Sequence, residues 1–121
     1  MLSTKNMIAS NAQIAETAII EDDVIIGENT VIGDFSIIRS GTRIGANNKI
    51  SAHVLIGGDP QDLAYKGETS YIELGDNNVI REFSSVHKAT GEGLRTKIGS
   101  NNMFMVGSHV GHNSQVGNNV V

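Results

Sequence analysis

The sequence contains no cysteine. Disulfide bonds, thiolate nucleophiles and zinc sites with cysteine ligands are therefore excluded. It also contains no tryptophan and one proline, and aromatic residues make up only 4% of the chain. Few large side chains are available to fill a core, whereas 14 glycines are available for turns. This composition is typical of a β-rich chain with many turns.

The chain also has no surplus of positive charge, because it contains 9 Lys and Arg against 13 Asp and Glu, which gives a net charge of −4. No basic stripe interleaved with aromatic residues occurs, so neither a nucleic acid nor an anionic membrane surface is an expected partner. No apolar run approaches the roughly 20 residues of a membrane span, and the start, MLSTKNMIAS, lacks the apolar core of a signal peptide. We expect a soluble, cytoplasmic protein, with residues 1–121 forming one domain.

The abundant isoleucine is regularly spaced, and stepping by six from Ile8 to Ile56 meets isoleucine every time. Of the 19 positions in this phase between 8 and 116, 16 are apolar, and the other three are Asp62, Glu68 and Glu92. Glycine often directly follows the aliphatic residue, and the fourth residue after the aliphatic one is usually small or β-branched. A period of six matches neither an α-helix nor a coiled coil. It predicts a chain that turns a corner once in every hexapeptide.

Three corners complete one coil, so the repeat predicts a triangular prism with three hexapeptides in each coil. Residues 8–121 would then form about six coils. Short strands would bury the aliphatic and the small residue, and glycine or asparagine would form the corners. The asparagine pairs at 47–48, 77–78, 101–102 and 118–119 are expected at equivalent corners. The pattern resembles that of the left-handed parallel β-helix proteins, and this resemblance implies an all-β fold with a left hand.

Two interruptions divide the repeat, and both resume in the original phase. The first, Gly57–Glu73, contains the only proline and both tyrosines, and the second runs roughly from Gly91 to Lys97. We expect two protruding loops, because loops on a regular solenoid commonly carry the binding surface. The last repeat ends at Val121 without a cap, so we expect a truncated part of a longer solenoid. Residues 1–6 precede the repeat and are expected to form a tail or a cap.

The sequence contains four histidines, none of which takes an inward position of its hexapeptide: His53, His87, His109 and His112. His53 has no motif around it and is expected to be an ordinary surface residue. If segment 92–97 occupies one side of the prism, a count of three hexapeptides per coil places His87 beneath Met105. His87, His109 and His112 would then lie on neighbouring sides, near one pocket.

General base catalysis fits these histidines best. A neutral imidazole can accept a proton from a sugar hydroxyl as that oxygen attacks an acyl thioester, and the step needs no metal and no cofactor. A zinc site is an alternative, because hexapeptide-repeat carbonic anhydrases bind zinc through three histidines. Those enzymes use a His-x4-His pair, whereas this chain has His109-x2-His112. A Ser-His-Asp arrangement has no local signature.

Three longer motifs resemble one family. They are GGDPQDLAYKGE, IELGDNNVIREFSSVHKAT and TKIGSNNMFMVGSHVGHNSQVGNN. With the repeats between Met7 and Val121, they are similar to the N-terminal half of the acyl-[acyl-carrier-protein]:UDP-N-acetylglucosamine O-acyltransferases, the first enzymes of lipid A synthesis. The resemblance implies that His112 is the general base, which deprotonates the glucosamine 3-hydroxyl for attack on a 3-hydroxyacyl thioester.

The same resemblance implies further site residues and partners. Asp62 matches an acidic residue of the sugar-nucleotide site, with Gln61 beside it, and His87 and His109 match histidines of the same cleft. Asn113 stands where the family often has an aspartate, and it would orient the base. The implied partners are UDP-N-acetylglucosamine or its 3-amino analogue and an acyl carrier protein carrying a 3-hydroxyacyl chain. The implied assembly is a homotrimer.

Two alternatives remain, the first from the same enzyme superfamily and the second from another class of function. One is a different hexapeptide-repeat acyltransferase, such as a later N-acyltransferase of the pathway or a sugar-nucleotide acetyltransferase, although the PQDL motif argues against it. The other is a non-catalytic structural solenoid, because the family's remaining coils and its C-terminal helical domain are absent from these 121 residues.

Overall fold

The computed structural model describes residues 6–121, which form sixteen short strands and no helix. In chain order the strands are β1 (Met7–Ile8), β2 (Gln13–Ile14), β3 (Ile19–Ile20), β4 (Ile25–Ile26), β5 (Val31–Ile32), β6 (Ile37–Ile38), β7 (Thr42–Ile44), β8 (Lys49–Ile50), β9 (Leu55–Gly58), β10 (Tyr71–Leu74), β11 (Val79–Ile80), β12 (Ser85–His87), β13 (Arg95–Ile98), β14 (Met103–Phe104), β15 (His109–Val110) and β16 (Gln115–Val116). Among these residues there is accordingly no helix long and apolar enough to cross a membrane.

The strands form three parallel sheets, and each successive strand belongs to the next sheet. Sheet A has the order β1-β4-β7-β10-β13-β16, sheet B has β14-β11-β8-β5-β2, and sheet C has β15-β12-β9-β6-β3. The three sheets are the sides of a prism. The predicted left-handed parallel β-helix of about six coils is confirmed. Of the expected N-terminal tail or cap, residues 1–5 lie outside the described residues.

The regularly spaced aliphatic residues fill the interior of the prism. Ile32, Ile50 and Ile80 lie in successive strands of sheet B, and their exposed fractions are 2% or less. Because each residue stacks on its counterpart one coil away, the aliphatic side chains form one continuous cluster of isoleucine, leucine and valine inside the prism. Complete burial of each such side chain contributes roughly 1.5–3 kcal/mol, which explains why the period of six is so strict.

The corners between sheets A and B depend on asparagine. Every corner from the second coil onward has an asparagine with φ near 60°: Asn29, Asn47, Asn77, Asn101 and Asn119. Asparagine tolerates this left-handed conformation better than other non-glycine residues. The second asparagine of three pairs, at 48, 78 and 102, points into the prism and is buried. The expectation of equivalent pairs is wrong for 118–119, because there the second asparagine forms the corner.

The two interruptions are loops whose lengths preserve the repeat. Ile26 pairs with Ile44, three repeats further along the chain. Ile44 pairs with Leu74 after five repeats, and Leu74 pairs with Ile98 after four. The first excursion therefore adds two repeats and the second adds one. They comprise residues 59–70 and 88–94. The first is therefore shorter than predicted, and the second has the predicted length but is shifted, because Arg95–Lys97 belong to strand β13.

The strand register also shows that the predicted position of His87 relative to the next coil is wrong. Ser85 pairs with His109, four repeats further along the chain, because the second excursion leaves the prism instead of occupying a side. The expectation that His87 lies beneath Met105 is therefore wrong. His87 ends the strand next to that of His109, in the same sheet.

Candidate functional site

Both loops emerge at one corner of the prism, between sheets C and A. The first loop, residues 59–70, joins β9 to β10, and the second loop, residues 88–94, joins β12 to β13. In the next coil the same corner is the tight turn from Gly111 to Ser114, which joins β15 to β16. Three consecutive coils therefore bring the first loop, the second loop and His112 to one place, the site corner.

His87 and His109 lie side by side at the edge of this corner. Their ring centroids are 4.5 Å apart in an edge-to-face arrangement. The Nδ1 atom of His109 is 2.8 Å from Ser85 Oγ, which fixes the direction of its ring. Burial lowers the pKa of His87, and the nearby His109 lowers it further. His87 is therefore held in its neutral form more strongly than an exposed histidine.

His112 is oriented by Asn113, and the hydrogen bonds define its tautomer. The Asn113 amide forms two bonds with the backbone of Thr90, because Oδ1 accepts from the Thr90 N–H at 2.9 Å and Nδ2 donates to the Thr90 carbonyl at 3.0 Å. The same Oδ1 lies 2.8 Å from His112 Nδ1. Since Oδ1 can only accept, this network assigns the proton of neutral His112 to Nδ1. Its Nε2 is then free to accept a proton.

A buried hydroxyl connects this turn to the other histidines. The Thr96 hydroxyl donates to the carbonyl of His87 at 2.7 Å and accepts from the Asn113 N–H at 3.0 Å. Thr96 is fully buried, and Asn113 has a φ of 60°. The end of the His87 strand and the turn that carries His112 are thus held at a fixed distance. Thr96 was not predicted from the sequence, because nothing in the repeat marks an inward threonine as special.

Asp62 is held in its charged form. Its carboxylate accepts from the Ala64 N–H at 3.0 Å. This backbone bond is the main cause that lowers the pKa of Asp62, and the Thr90 hydroxyl and the charge of His112 lower it further. The Thr90 hydroxyl is buried and forms no hydrogen bond of ordinary geometry among the described residues. The predicted neighbour Gln61 is exposed at the tip of the first loop.

Two glutamates tie the loops to each other. Glu68 accepts from the Lys66 N–H with Oε1 at 2.8 Å and from the Gly91 N–H with Oε2 at 2.7 Å. Glu92 accepts from the Thr69 N–H at 2.9 Å. These backbone bonds lower the pKa of Glu68, so the Glu68 carboxylate is charged at neutral pH. Both residues were visible in the sequence as acidic exceptions to the aliphatic phase, but their role was not predicted.

The site therefore combines three imidazoles and a carboxylate, and hydrogen bonds hold His109, His112 and Asp62 in place. The bond network leaves Nε2 of His112 as a free acceptor, and the charge of His112 contributes to the lowered pKa of the Asp62 carboxyl. Among residues 6–121, no three or more histidine, aspartate or glutamate side chains are arranged to hold a metal ion. The arrangement within this chain is suited to proton transfer and to hydrogen bonding of a polar substrate.

The pKa of His87 can be tested separately from catalysis. We expect His109→Gln to raise the pKa of His87, because it removes a neighbouring positive charge, yet to leave it below its ordinary value because burial persists. A histidine with a lowered folded-state pKa binds fewer protons in the folded state. Its contribution to stability is therefore complete above about pH 6.5 and is lost as the pH falls through the folded-state pKa.

The measurement is an NMR titration of the imidazole protons. His53→Asn serves as the control, because His53 lies at another corner, and it should leave the His87 titration unchanged. A His87 pKa that does not move in His109→Gln would show that the two rings are not electrostatically coupled.

Comparison with known proteins shows which proteins this chain is similar to. A family model described as bacterial transferase hexapeptide (six repeats) matches residues 23–58. Among curated proteins, an acyl-[acyl-carrier-protein]–UDP-N-acetylglucosamine O-acyltransferase from a Psychrobacter species is 44% identical over 77 residues, which are 63% of this chain and 30% of the relative.

Two solved structures are also similar. The UDP-N-acetylglucosamine acyltransferase of Francisella novicida is 37% identical with a TM-score of 0.79, over 98% of this chain and 46% of that one. The corresponding enzyme of Campylobacter jejuni is 34% identical with a TM-score of 0.80, over 96% of this chain and 48% of that one. The chain thus spans slightly less than half the length of these structures.

The prism and its loops define a hexapeptide-repeat β-helix, and the proteins to which the chain is similar are named as acyltransferases. Within that class, the chain is similar to the N-terminal part of the UDP-N-acetylglucosamine O-acyltransferases.

Proposed function

We propose that this chain forms part of an enzyme that transfers a 3-hydroxyacyl group from an acyl carrier protein to the 3-hydroxyl of UDP-N-acetylglucosamine, the first step of lipid A synthesis. The observation that carries the proposal is the arrangement at His112. Its Nδ1 is committed to Asn113, Asn113 is anchored to Thr90, and Nε2 remains free as the base.

The chemistry follows from that free nitrogen. Nε2 of His112 accepts the proton of the sugar 3-hydroxyl while the oxygen attacks the thioester carbonyl. The tetrahedral intermediate then collapses, the carbon–sulfur bond breaks, and the imidazolium returns its proton to the departing sulfur. The new ester and a free thiol are the products, and no proton is gained or lost overall.

Asp62 is proposed to bind the acceptor. Its carboxylate stays ionised and is held by one backbone bond, so it retains capacity to accept hydrogen bonds from sugar hydroxyl or amide groups. Gln61 is exposed beside it and can bind the same substrate. His87 and His109 are proposed to line the floor, where burial keeps His87 neutral and able to donate or accept.

The proposal includes the assembly and the partners. The loops and histidines lie on the outside of the prism, so a neighbouring subunit can supply the opposite wall of the cleft. We propose a homotrimer with sites between subunits, acting on an acyl carrier protein and on UDP-N-acetylglucosamine or its 3-amino analogue, in the cytoplasm. No cofactor is invoked, because the base and the thioester supply what the reaction needs.

Isothermal titration calorimetry with UDP-N-acetylglucosamine tests the acceptor site. Asp62→Asn should weaken binding by roughly 10- to 100-fold, because a hydrogen bond to a charged group contributes about 1.5–3 kcal/mol. The asparagine can still accept from the Ala64 N–H, so the loop should keep its conformation.

Asp59→Asn is the matched control, because it removes the same charge from the same loop and breaks an ion pair with Lys88 at 3.6 Å. It should leave affinity within about twofold, because the Asp59 carboxylate is itself 59% exposed and an ion pair of such a group contributes little. Equal affinities of Asp62→Asn and the unmodified chain would refute the role of Asp62. No binding by the unmodified chain would favour the non-catalytic solenoid.

A further inference from the structure

Thr90 lies between the two halves of the site corner. Its backbone N–H and carbonyl bond to the Asn113 amide at 2.9 and 3.0 Å, and Asn113 in turn orients His112. The next residue, Gly91, donates to Glu68 of the first loop at 2.7 Å. Thr90 is therefore placed where the turn that carries His112 meets the first loop.

The hydroxyl of Thr90 is buried without a well-formed hydrogen bond. Within residues 6–121, no group meets its Oγ1 with the geometry of such a bond. A buried hydroxyl that lacks a partner destabilises the folded chain, because it has given up its bonds to water. Such groups are rare in native structures, and a role in a functional site is one reason to retain one.

The group that this hydroxyl faces is the Asp62 carboxylate. The Ala64 N–H lowers the pKa of Asp62 most, and the Thr90 hydroxyl is the next largest cause. His112 and Glu68 also face this carboxylate, since the charge of His112 lowers the Asp62 pKa further and Asp62 opposes the backbone bonds that lower the pKa of Glu68. The hydroxyl is thus close to the carboxylate but outside good bonding geometry, a gap that a small rotation of either side chain closes.

We propose that Thr90 is a positioning residue of the site, whose hydroxyl donates to the Asp62 carboxylate when the sugar nucleotide is bound. The proposal rests on the function proposed above, because it takes Asp62 as the residue that binds the acceptor. The Ala64 N–H already occupies Oδ1 of Asp62. A second donor fixes the plane of the carboxylate, so that its remaining lone pairs are directed at the substrate.

The same residue then determines the spacing between Asp62 and the base. The Thr90 side chain holds Asp62, and the Thr90 backbone holds Asn113 and, through it, His112. An acceptor that bonds to Asp62 with one polar group presents its hydroxyl to Nε2 of His112 only if this spacing is correct. Thr90 itself touches neither the substrate nor the reacting atoms, because its hydroxyl is buried.

Thr90→Val tests the role of the hydroxyl, because it puts a methyl group in its place and keeps both backbone bonds to Asn113. In calorimetry, UDP-N-acetylglucosamine should bind to this variant roughly 3- to 10-fold more weakly, as expected for one lost hydrogen bond. Thr90→Ser keeps the hydroxyl and should bind within about twofold of the unmodified chain. In the protein that carries this chain, Thr90→Val should raise KM for the sugar nucleotide and leave kcat within about twofold, since His112 is untouched.

An NMR titration of the carboxyl groups gives a readout that needs no ligand. Thr90→Val should raise the pKa of Asp62, because the charged form loses a donor, and leave it below its ordinary value because the Ala64 N–H bond remains. His112 should keep its tautomer. Thermal unfolding should occur at an equal or higher temperature, since a buried hydroxyl without a partner has been removed. A merely structural role of the hydroxyl would lower that temperature.

Ser70→Ala is the matched control. Ser70 carries the other buried hydroxyl that has no hydrogen-bond partner within residues 6–121, and it is not among the groups that shift the pKa of Asp62. Its replacement should leave both the Asp62 pKa and the affinity for the sugar nucleotide unchanged.

The outcomes separate this proposal from the proposed function. If Asp62→Asn weakens binding and Thr90→Val does not, the role of Thr90 is overturned and the acceptor site stands. If Asp62→Asn has no effect, the acceptor site fails, and the positioning role fails with it. If the unmodified chain binds no sugar nucleotide, the titration decides. An Asp62 pKa that is the same in Thr90→Val and in the unmodified chain then overturns the contact, and a raised pKa that Thr90→Ser restores supports it.

Discussion

Replacing Asn78 by alanine should lower the free energy of unfolding by roughly 2–5 kcal/mol. Asn78 is fully buried, and its side chain forms hydrogen bonds with the backbone of the next coil. Its Nδ2 donates to the Gly99 carbonyl at 2.9 Å, and its Oδ1 accepts from the Asn102 N–H at 3.0 Å. Alanine removes both bonds, which leaves the buried Asn102 N–H unsatisfied, whereas the Gly99 carbonyl keeps a bond from the Gly75 N–H at 3.2 Å. An unsatisfied buried donor costs about 1–3 kcal/mol, and each lost hydrogen bond costs about 0.5–1.5 kcal/mol.

Chemical denaturation measures this loss, and hydrogen exchange locates it. The Asn102 amide should exchange faster in Asn78→Ala, because its acceptor is gone. Asn77→Gly is the matched control from the same pair. Asn77 forms the exposed corner with φ 58°, a conformation that glycine adopts freely, so its replacement should change stability by less than about 1 kcal/mol. Equal losses for the two substitutions would contradict the distinct roles of the two asparagines.

The fold was predictable because one physical requirement repeats. Each coil must bury an aliphatic side chain at a fixed interval, so Ile8 to Ile56 identify the coils without any long-range information. The asparagine pairs were predictable as corners, but the inward direction of Asn48 and Asn78 was not. A polar side chain is expected on the outside of the prism. These asparagines point inward because each amide donates a hydrogen bond to a corner carbonyl of the next coil, that of Gly75 or Gly99.

The repeat could not predict whether the second loop forms a side of the prism or protrudes from it. A segment one hexapeptide long preserves the phase whether it forms a side of the prism or leaves it. The period therefore cannot distinguish the two, and the prediction for His87 depended on the wrong choice. The pairing of Ser85 with His109 resolves it, because neighbouring parallel strands must share hydrogen bonds.

The candidate site was predictable in part for the same reason. The stacking of coils brings His87 and His109 together, as expected, although by a different register. The contacts of Asn113 with Thr90 and of Glu68 with Gly91 were not predictable. They join distant segments of the chain through the path of a loop, and hydrophobic periodicity carries no information about that path.

Replacing His112 by alanine should lower the rate of acyl transfer by roughly 10²- to 10⁴-fold in the protein that carries this chain. The variant loses the Nε2 that we propose as the acceptor of the sugar hydroxyl proton, and His112 is the histidine whose Nδ1 is bonded to Asn113. Asn113 keeps both bonds to Thr90, so the turn and the second loop should retain their conformation. Steady-state rates at saturating substrate measure the effect, and circular dichroism checks the fold.

Two comparisons separate loss of a base from loss of structure. UDP-N-acetylglucosamine should still bind to His112→Ala with an affinity within about tenfold of the unmodified protein, since a general base acts mainly in the transition state. Asp62→Asn should show the opposite pattern and lose affinity. His53→Asn removes a histidine from another corner and should retain the full rate. A His112→Ala variant that turns over at the unmodified rate would refute the assignment of the base, whatever its affinity for the sugar nucleotide.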